Sequence, residues 1–229
     1  MPHLYDYPRP MLTVDIFLLR LNHTHLELLL IQRKNEPFRG KWALSGGFVE
    51  IDEPTESAAK REFSEETGLE NIDLVKMDVF GDPGRDPRGR TITIVYFGVI
   101  PFEVSDVQKA GDDAAESQWF HLNNLPELAF DHDHIVEVCH KRFQSNLLHK
   151  FWFLLFLKNE FTTKQILELL NNISELKFPV DKIDNILFNL PLVSQTKGKH
   201  TFLKKIPNND ILKLNDEVIT NIWQNILTN

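Results

Sequence analysis

The chain contains a single cysteine, Cys139, so no disulfide can close within it, which suits a reducing cytoplasm. It also lacks an apolar run of the roughly 20 residues that a membrane-spanning helix needs. Its greasiest stretch, residues 151–157, is bracketed by Lys150 and Lys158 and reads as a buried helix. Residues 1–10 hold three prolines and no apolar core of the kind a signal peptide requires. A basic surplus is missing too. The formal net charge is -8, which argues against a general nucleic-acid binder. These absences together predict a cytoplasmic protein with no membrane partner. What is present, 42% hydrophobic and 25% charged residues over 229 positions, is enough to build a core.

Charge and composition change near Ser145. The net charge is about -10 before that point and about +2 after it, a sign asymmetry that divides the chain into two expected domains, residues 1–145 and 146–229. In the first, residues 12–19 and 26–31 read as strands joined by the turn Asn22-His23-Thr24-His25. Residues 42–48 form a short apolar stretch broken by Gly46 and Gly47. Residues 55–67 read as a helix, with Pro54 at its start and Gly68 just past its end. Residues 91–100 and 118–121 read as strands and residues 135–143 as a helix, so the expected fold class is α+β, a sheet with helices packed on it. The second part predicts helices over residues 147–157, 163–171 and 182–189. A hairpin about Lys197-Gly198-Lys199 follows, and a last helix covers 210–227. That is the layout of a winged helix-turn-helix.

The chemistry is concentrated in residues 47–69, GFVEIDEPTESAAKREFSEETGL. Glu62, Glu65 and Glu66 stand at i, i+3 and i+4 and share one helix face. Three carboxylates there repel one another. Taken alone they fit either a solvated acidic face or a site for a hard divalent cation, which prefers carboxylate oxygens and completes its shell with water and phosphate. Glu53, one loop earlier, is placed to brace such a site, and Arg61 to hold a glutamate in its rotamer.

The spacing decides between these readings. Gly47, five residues, Glu53, seven residues, Arg61-Glu62, apolar Phe63, one residue, Glu65-Glu66, one residue, Gly68 and apolar Leu69 resemble the Nudix box at every fixed position. The resemblance implies an α/β/α sandwich about a mixed sheet. It implies hydrolysis of a nucleoside diphosphate-X substrate, with Mg²⁺ or Mn²⁺ bridging the diphosphate while an activated water attacks one phosphorus in line. By the same resemblance Glu62, Glu65 and Glu66 are catalytic metal ligands, joined by a backbone carbonyl near Gly46 or Gly47. Gly47, Glu53 and Gly68 have supporting roles. The one departure is Ser45, where many members have proline; this is expected to soften the loop without removing activity.

Residues 7–10, 80–90, 110–120 and 128–135 look like the branch of the family that contains ADP-ribose pyrophosphatases and their NAD-related transcriptional relatives. Physically, Arg85, Arg88 and Arg90 sit in a glycine- and proline-rich loop, and guanidinium forks suit phosphate. Asp82 is placed to pair with them or with ribose hydroxyls. Arg39 and Phe48 complete the expected substrate contacts, Phe48 as a face for a base. Glu116 is a candidate for placing the metal or the water, and the base is left open between Glu65 and Glu116. His132 and His134 are too few for a structural zinc site, so Asp131 or Asp133 is expected to cap the helix that follows.

Relatives in this branch suggest a homodimer, and some pair a Nudix-like sensor with a DNA-binding winged helix. DNA is a possible partner here but the less favoured one. The expected recognition helix over residues 181–190 carries Asp181 and Asp184 against one lysine, Lys182, where DNA binding needs several cations. Lys197, Lys199, His200, Lys204 and Lys205 would make a basic wing.

Overall fold

The computed structural model describes residues 6–100, 114–174, 179–196 and 200–228. They fall into two compact units. One gathers residues 6–19, 27–98 and 114–140; the other gathers 20–26, 99–100 and 141–228.

The first unit is built on a 7-stranded sheet. Its strands are β1 (Met11–Asn22), β2 (His25–Arg33), β3 (Trp42–Ala43), β4 (Ser45–Phe48), β5 (Val75–Phe80), β6 (Thr91–Ile100) and β7 (Ala114–His121). The order is β3-β2-β1-β6-β5, with β4 added to β1 and β7 to β2. Helix α1 (Thr55–Thr67) lies between β4 and β5, and α2 (His132–His149) follows β7. Residues 13–19 of β1 and 26–31 of β2 are buried without interruption. Continuous burial, in place of alternation, means that both faces of the central strands are covered. Phe63 of α1 and Phe17 and Phe97 of the sheet are almost wholly enclosed, the latter two with ring centroids 6.3 Å apart.

Sequence patterning does not reveal β5. Its order, VKMDVF, interleaves Lys76 and Asp78 with apolar residues, and a register shift between Lys76 and Asp78 breaks the alternation. It lies at the end of the strand order with Val79 exposed, as an edge strand can.

The second unit corrects two expectations. The single helix expected over 210–227 is interrupted at residues 213–215, which divides it in two. The other lies earlier in the chain. No helix covers 147–157. Helix α2 stops at His149, Phe151 takes a left-handed φ of 58°, and a separate 3-10 helix, Trp152–Phe156, follows with every residue buried. A segment apolar on all sides has no stripe to align a longer helix. Aromatic packing sets its path instead: Phe151 stacks on Trp223 at 5.2 Å and Trp152 on Phe143 at 6.3 Å. Beyond it come β8 (Glu160–Thr162), α3 (Thr163–Ile173), α4 (Val180–Asn189), β9 (Val193–Gln195), β10 (Thr201–Lys204), α5 (Asn208–Leu212) and α6 (Asp216–Thr228). The expected hairpin is a three-stranded sheet in the order β8-β10-β9; β8 is too short to show in the sequence pattern. Its turn, 197–199, lies outside the described residues, as do residues 110–113 of the stretch expected to resemble the ADP-ribose branch. Thr162 and Gln165 form a reciprocal capping box at the start of α3.

Candidate active site

The site is assembled where β4 meets α1. Gly46 has φ 152°, and a Cβ there would lie 2.0 Å from the Val14 carbonyl oxygen, so only glycine fits between β1 and this turn. At Gly47 the obstacle differs: a Cβ would lie 2.4 Å from the Glu62 carboxyl group. Glu62 therefore occupies the space that a side chain at 47 would fill. Pro54 takes the helix N-cap position, and Gly68 ends α1 at φ 69°, its N–H donating to the Ser64 carbonyl.

Arg61 is the hub of the acidic group. Its Nε and Nη2 donate to the two oxygens of Glu53 at 3.2 and 2.7 Å. Its Nη1 donates to Glu62 at 2.9 Å and to Glu65 at 3.3 Å, and Nη2 also reaches the Phe48 carbonyl at 3.1 Å. The hydrogen bonds to Arg61 draw the Glu53 carboxyl below its ordinary range. Glu53 in turn holds the Arg61 guanidinium charged. Glu66 stands apart from this hub. It is 7% exposed, and its Oε2 accepts the Gly46 N–H at 2.9 Å. Burial pushes its carboxyl up to about 8, with the charges of Glu62 and Asp15 adding to the effect. The Gly46 N–H acts in the opposite direction, and so does the Ser45 hydroxyl, which lies against Glu66 without a hydrogen bond of regular geometry. Burial also raises Glu62.

These carboxylates, with the backbone carbonyls about Gly46 and Gly47, are a donor set of the kind hard divalent cations take. Among the described residues no three of the acidic or histidine side chains converge as a ready metal cluster. The geometry gives the reason: Arg61 draws Glu62 and Glu65 to itself, while Glu66 turns to Gly46. A cation of charge +2 would share Glu62 and Glu65 with the guanidinium. The cradle over Gly47 and the buried, raised carboxyl of Glu66 both fit that occupant.

A cavity of about 370 Å³ is lined by Arg61, Glu62 and Glu66 of α1 and Gly47 and Phe48 of β4, together with Arg33, Arg85, Arg88, Phe130 and His132 from other parts of the chain. Phe130, at a left-handed φ of 55°, offers its ring to two guanidinium groups, Arg33 at 4.6 Å and Arg88 at 5.1 Å. Arg88 also lies 4.9 Å from the Phe48 ring. Arg88 is held by Asp86 through two oxygens, and Arg85 by Asp131 through a bidentate pair at 2.9 and 2.7 Å. Burial and the nearby charge of Arg88 lower the pKa of Arg33. Two cations gathered at one aromatic ring attract an anion.

Several expected residues stand elsewhere. Asp82 and Arg90 are exposed on the loop and outside the cavity, with Arg90 donating to the Gly81 carbonyl. Arg39 is exposed and also outside it. Glu116 lies on β7 opposite Gln32, exposed, and does not line the cavity. Of the loop over residues 80–90, Arg85, Asp86 and Arg88 line the cavity, and Asp82 and Arg90 do not. The Asp131 carboxylate, expected as a helix cap, is taken by Arg85. Arg33 was missed, since one arginine at a strand end carries no signal without the fold. Its partner Phe130 was missed for the same reason. Trp42 packs edge-on against Phe120 at 4.7 Å.

The NUDIX domain family model matches residues 9–139. The chain is 49% identical over 134 residues to the ADP-ribose pyrophosphatase of Methanocaldococcus jannaschii, an alignment covering 57% of this chain and 73% of that enzyme. It is 36% identical to the ADPR responsive transcriptional repressor NtrR of Acinetobacter baylyi, over 58% of this chain and 54% of the repressor; the match thus spans about half the repressor's length. The crystal structure of a MutT/nudix family protein from Enterococcus faecalis superposes with a TM-score of 0.78 at 29% identity, covering 89% of this chain and 90% of that one.

Proposed function

We propose a function from one premise: the chain belongs to the NUDIX domain family. It is a pyrophosphohydrolase that cleaves the diphosphate of a nucleoside diphosphate-X, with ADP-ribose as its substrate and Mg²⁺ or Mn²⁺ as its metal. The observation that carries this reading is one cavity that gathers Glu62 and Glu66 of the acidic helix together with Arg33, Arg85 and Arg88. The similarity to the archaeal ADP-ribose pyrophosphatase supports the choice of substrate.

Glu62, Glu65, Glu66 and a carbonyl of the Gly46–Gly47 turn would hold the metal. When bound, it supplies neutralisation of the charge on the diphosphate oxygens and a lowered pKa for water. The rest falls to the chain itself. Arg61 orients Glu62 and Glu65 through its Nη1. The Gly46 N–H fixes one oxygen of Glu66. Arg33 and Arg88 clamp the diphosphate, and Phe48 and Phe130 exclude water around them. The base is Glu65 or Glu116; both are exposed and neither lines the cavity, where Glu62 and Glu66 stand.

Incubation with ADP-ribose and Mg²⁺ should release AMP and ribose 5-phosphate, and chelation with EDTA should stop it. Intact ADP-ribose after a long incubation at high enzyme concentration would overturn the assignment.

The similarity to NtrR favours a second reading, an ADP-ribose-responsive DNA-binding regulator whose C-terminal unit is a winged helix. Against it, α4 offers DNA one basic side chain, Lys182, with the exposed Asp181 beside it; Asp184 does not weigh either way, since it faces inward, accepting from the Thr163 hydroxyl at 2.6 Å and pairing with His200 at 3.0 Å. A mobility shift of upstream DNA, relieved by ADP-ribose, together with no AMP release, would reverse the ranking. We also assign the protein to the cytoplasm as a homodimer. The exposed Tyr7 and Ile51, which line a shared shallow depression beside the N-terminal segment, support self-association.

A further inference from the structure

Three consecutive side chains after β7 each serve a different part of the cavity. Phe130 carries Arg33 and Arg88, and Asp131 carries Arg85. His132 takes the third part. It is buried, and its Nδ1 accepts the N–H of Leu44 at 3.0 Å, in the one-residue gap between β3 and β4.

That hydrogen bond fixes the tautomer. With Nδ1 accepting, the ring proton is on Nε2, which faces Asp15 Oδ1 at 3.7 Å. Asp15 is itself buried and fixed, its Oδ2 accepting from the Thr93 hydroxyl at 2.5 Å. Asp15 also stands opposite Gly46 in the β1–β4 register. The neighbouring strand is tied to the same segment, because the Ala129 N–H donates to the Trp42 carbonyl at 2.8 Å and Trp42 bridges Leu128. A continuous line of contacts therefore runs from Thr93 through Asp15 and His132 to Leu44, and two residues on to the Gly46 N–H that holds Glu66.

We infer that His132 is a positioning residue of the metal site. Its Nδ1 fixes the Leu44–Gly47 backbone at the place where that backbone orients Glu66 and gives Glu62 its space. A buried apolar side chain at 132 would leave the Leu44 N–H without an acceptor, which such a group tolerates poorly. The turn would then shift to find one. This inference rests on the hydrolase reading, because it assumes that Glu62 and Glu66 are metal ligands. Support of ligand-bearing groups by such outer contacts typically carries about 10- to 100-fold in metal affinity or activity.

The test compares His132→Leu, which removes the acceptor, with His132→Asn, whose Oδ1 takes the place of Nδ1. Mn²⁺ affinity is read by electron paramagnetic resonance without substrate, kcat and KM are measured with ADP-ribose, and backbone amide exchange is followed in the metal-free protein. His132→Leu should weaken Mn²⁺ binding and lower kcat by about 10- to 100-fold. It should leave KM for ADP-ribose within a factor of about three and speed exchange at Leu44 and Gly46. His132→Asn should restore most of each. If His132→Leu does not fold, His132→Gln replaces it, since its amide reaches the Nε2 position and misses Leu44. Wild-type exchange at Leu44 and Gly46 in the variant that lacks the acceptor overturns the inference, as does an Asn variant as impaired as that one. Exchange tests the positioning without metal, whereas Mn²⁺ binding by the unsubstituted protein tests the hydrolase reading, so the two failures are told apart.

Discussion

The acidic and the basic side chains gathered about the cavity solve opposite problems. On the α1 side, one guanidinium serves three carboxylates, Glu53, Glu62 and Glu65, while Glu66 is buried beyond its reach. Negative charge is in excess there. On the loop side, Arg85 and Arg88 each have an aspartate, but Arg33 is held by the carbonyls of Pro37 and Asn35 and by the Phe130 ring. Positive charge is in excess there. Each side would be completed by what it lacks itself, a cation for the glutamates and an anion for the arginines. Under the proposed function a metal diphosphate would bring both.

The contrast yields graded tests. The largest effect belongs to the acidic group. Glu66→Gln keeps the volume and removes a ligand charge, so turnover should fall by roughly 1000-fold, the equivalent of about 4 kcal/mol of transition-state stabilisation. The far-ultraviolet circular dichroism should stay unchanged. Near wild-type turnover in that variant would remove Glu66 from the metal set. Next is the basic group. Arg33→Ala removes a charged donor worth about 1.5–3 kcal/mol and should weaken substrate capture by roughly 10- to 100-fold. Steady-state kinetics should show it in kcat/KM, with Mn²⁺ affinity unaltered. An equal loss of metal binding would mean that the two groups are one network. The smallest effect is expected at Glu116→Gln, on the exposed side of β7, where kcat should change by no more than about twofold if Glu65 is the base. A loss approaching that of Glu66→Gln would assign the base to Glu116 and show that the cavity closes around it during turnover.

The parts of the site that were legible in the sequence are those held within one element. Glu62, Glu65 and Glu66 are fixed by helical period, and the start and stop of α1 by Pro54 and Gly68. The basic group was read only in part. Arg85 and Arg88 were found through their loop, but Arg90, Asp82 and Arg39, which resemble them in sequence, face solvent. Which arginine of a loop turns inward depends on contacts with distant partners, such as Asp131 for Arg85 across 46 positions. Arg33 and Phe130 meet only through tertiary packing, and no periodicity announces it. The same limit hid β5, whose alternation is broken by a bulge, and turned an expected helix over 147–157 into a turn and a 3-10 segment shaped by Trp223.

The volume above Gly47 has a consequence for which substitutions the chain accepts there. The space belongs to Glu62, fifteen positions later, because a single methyl at 47 would fall 2.4 Å from its carboxyl carbon. An alanine there makes the carboxylate end of Glu62 swing aside; that end is flexible, so the fold gives way easily, but the carboxylate leaves its place beside Arg61. The side chain missing at position 47 thus decides where the Glu62 carboxylate can rest.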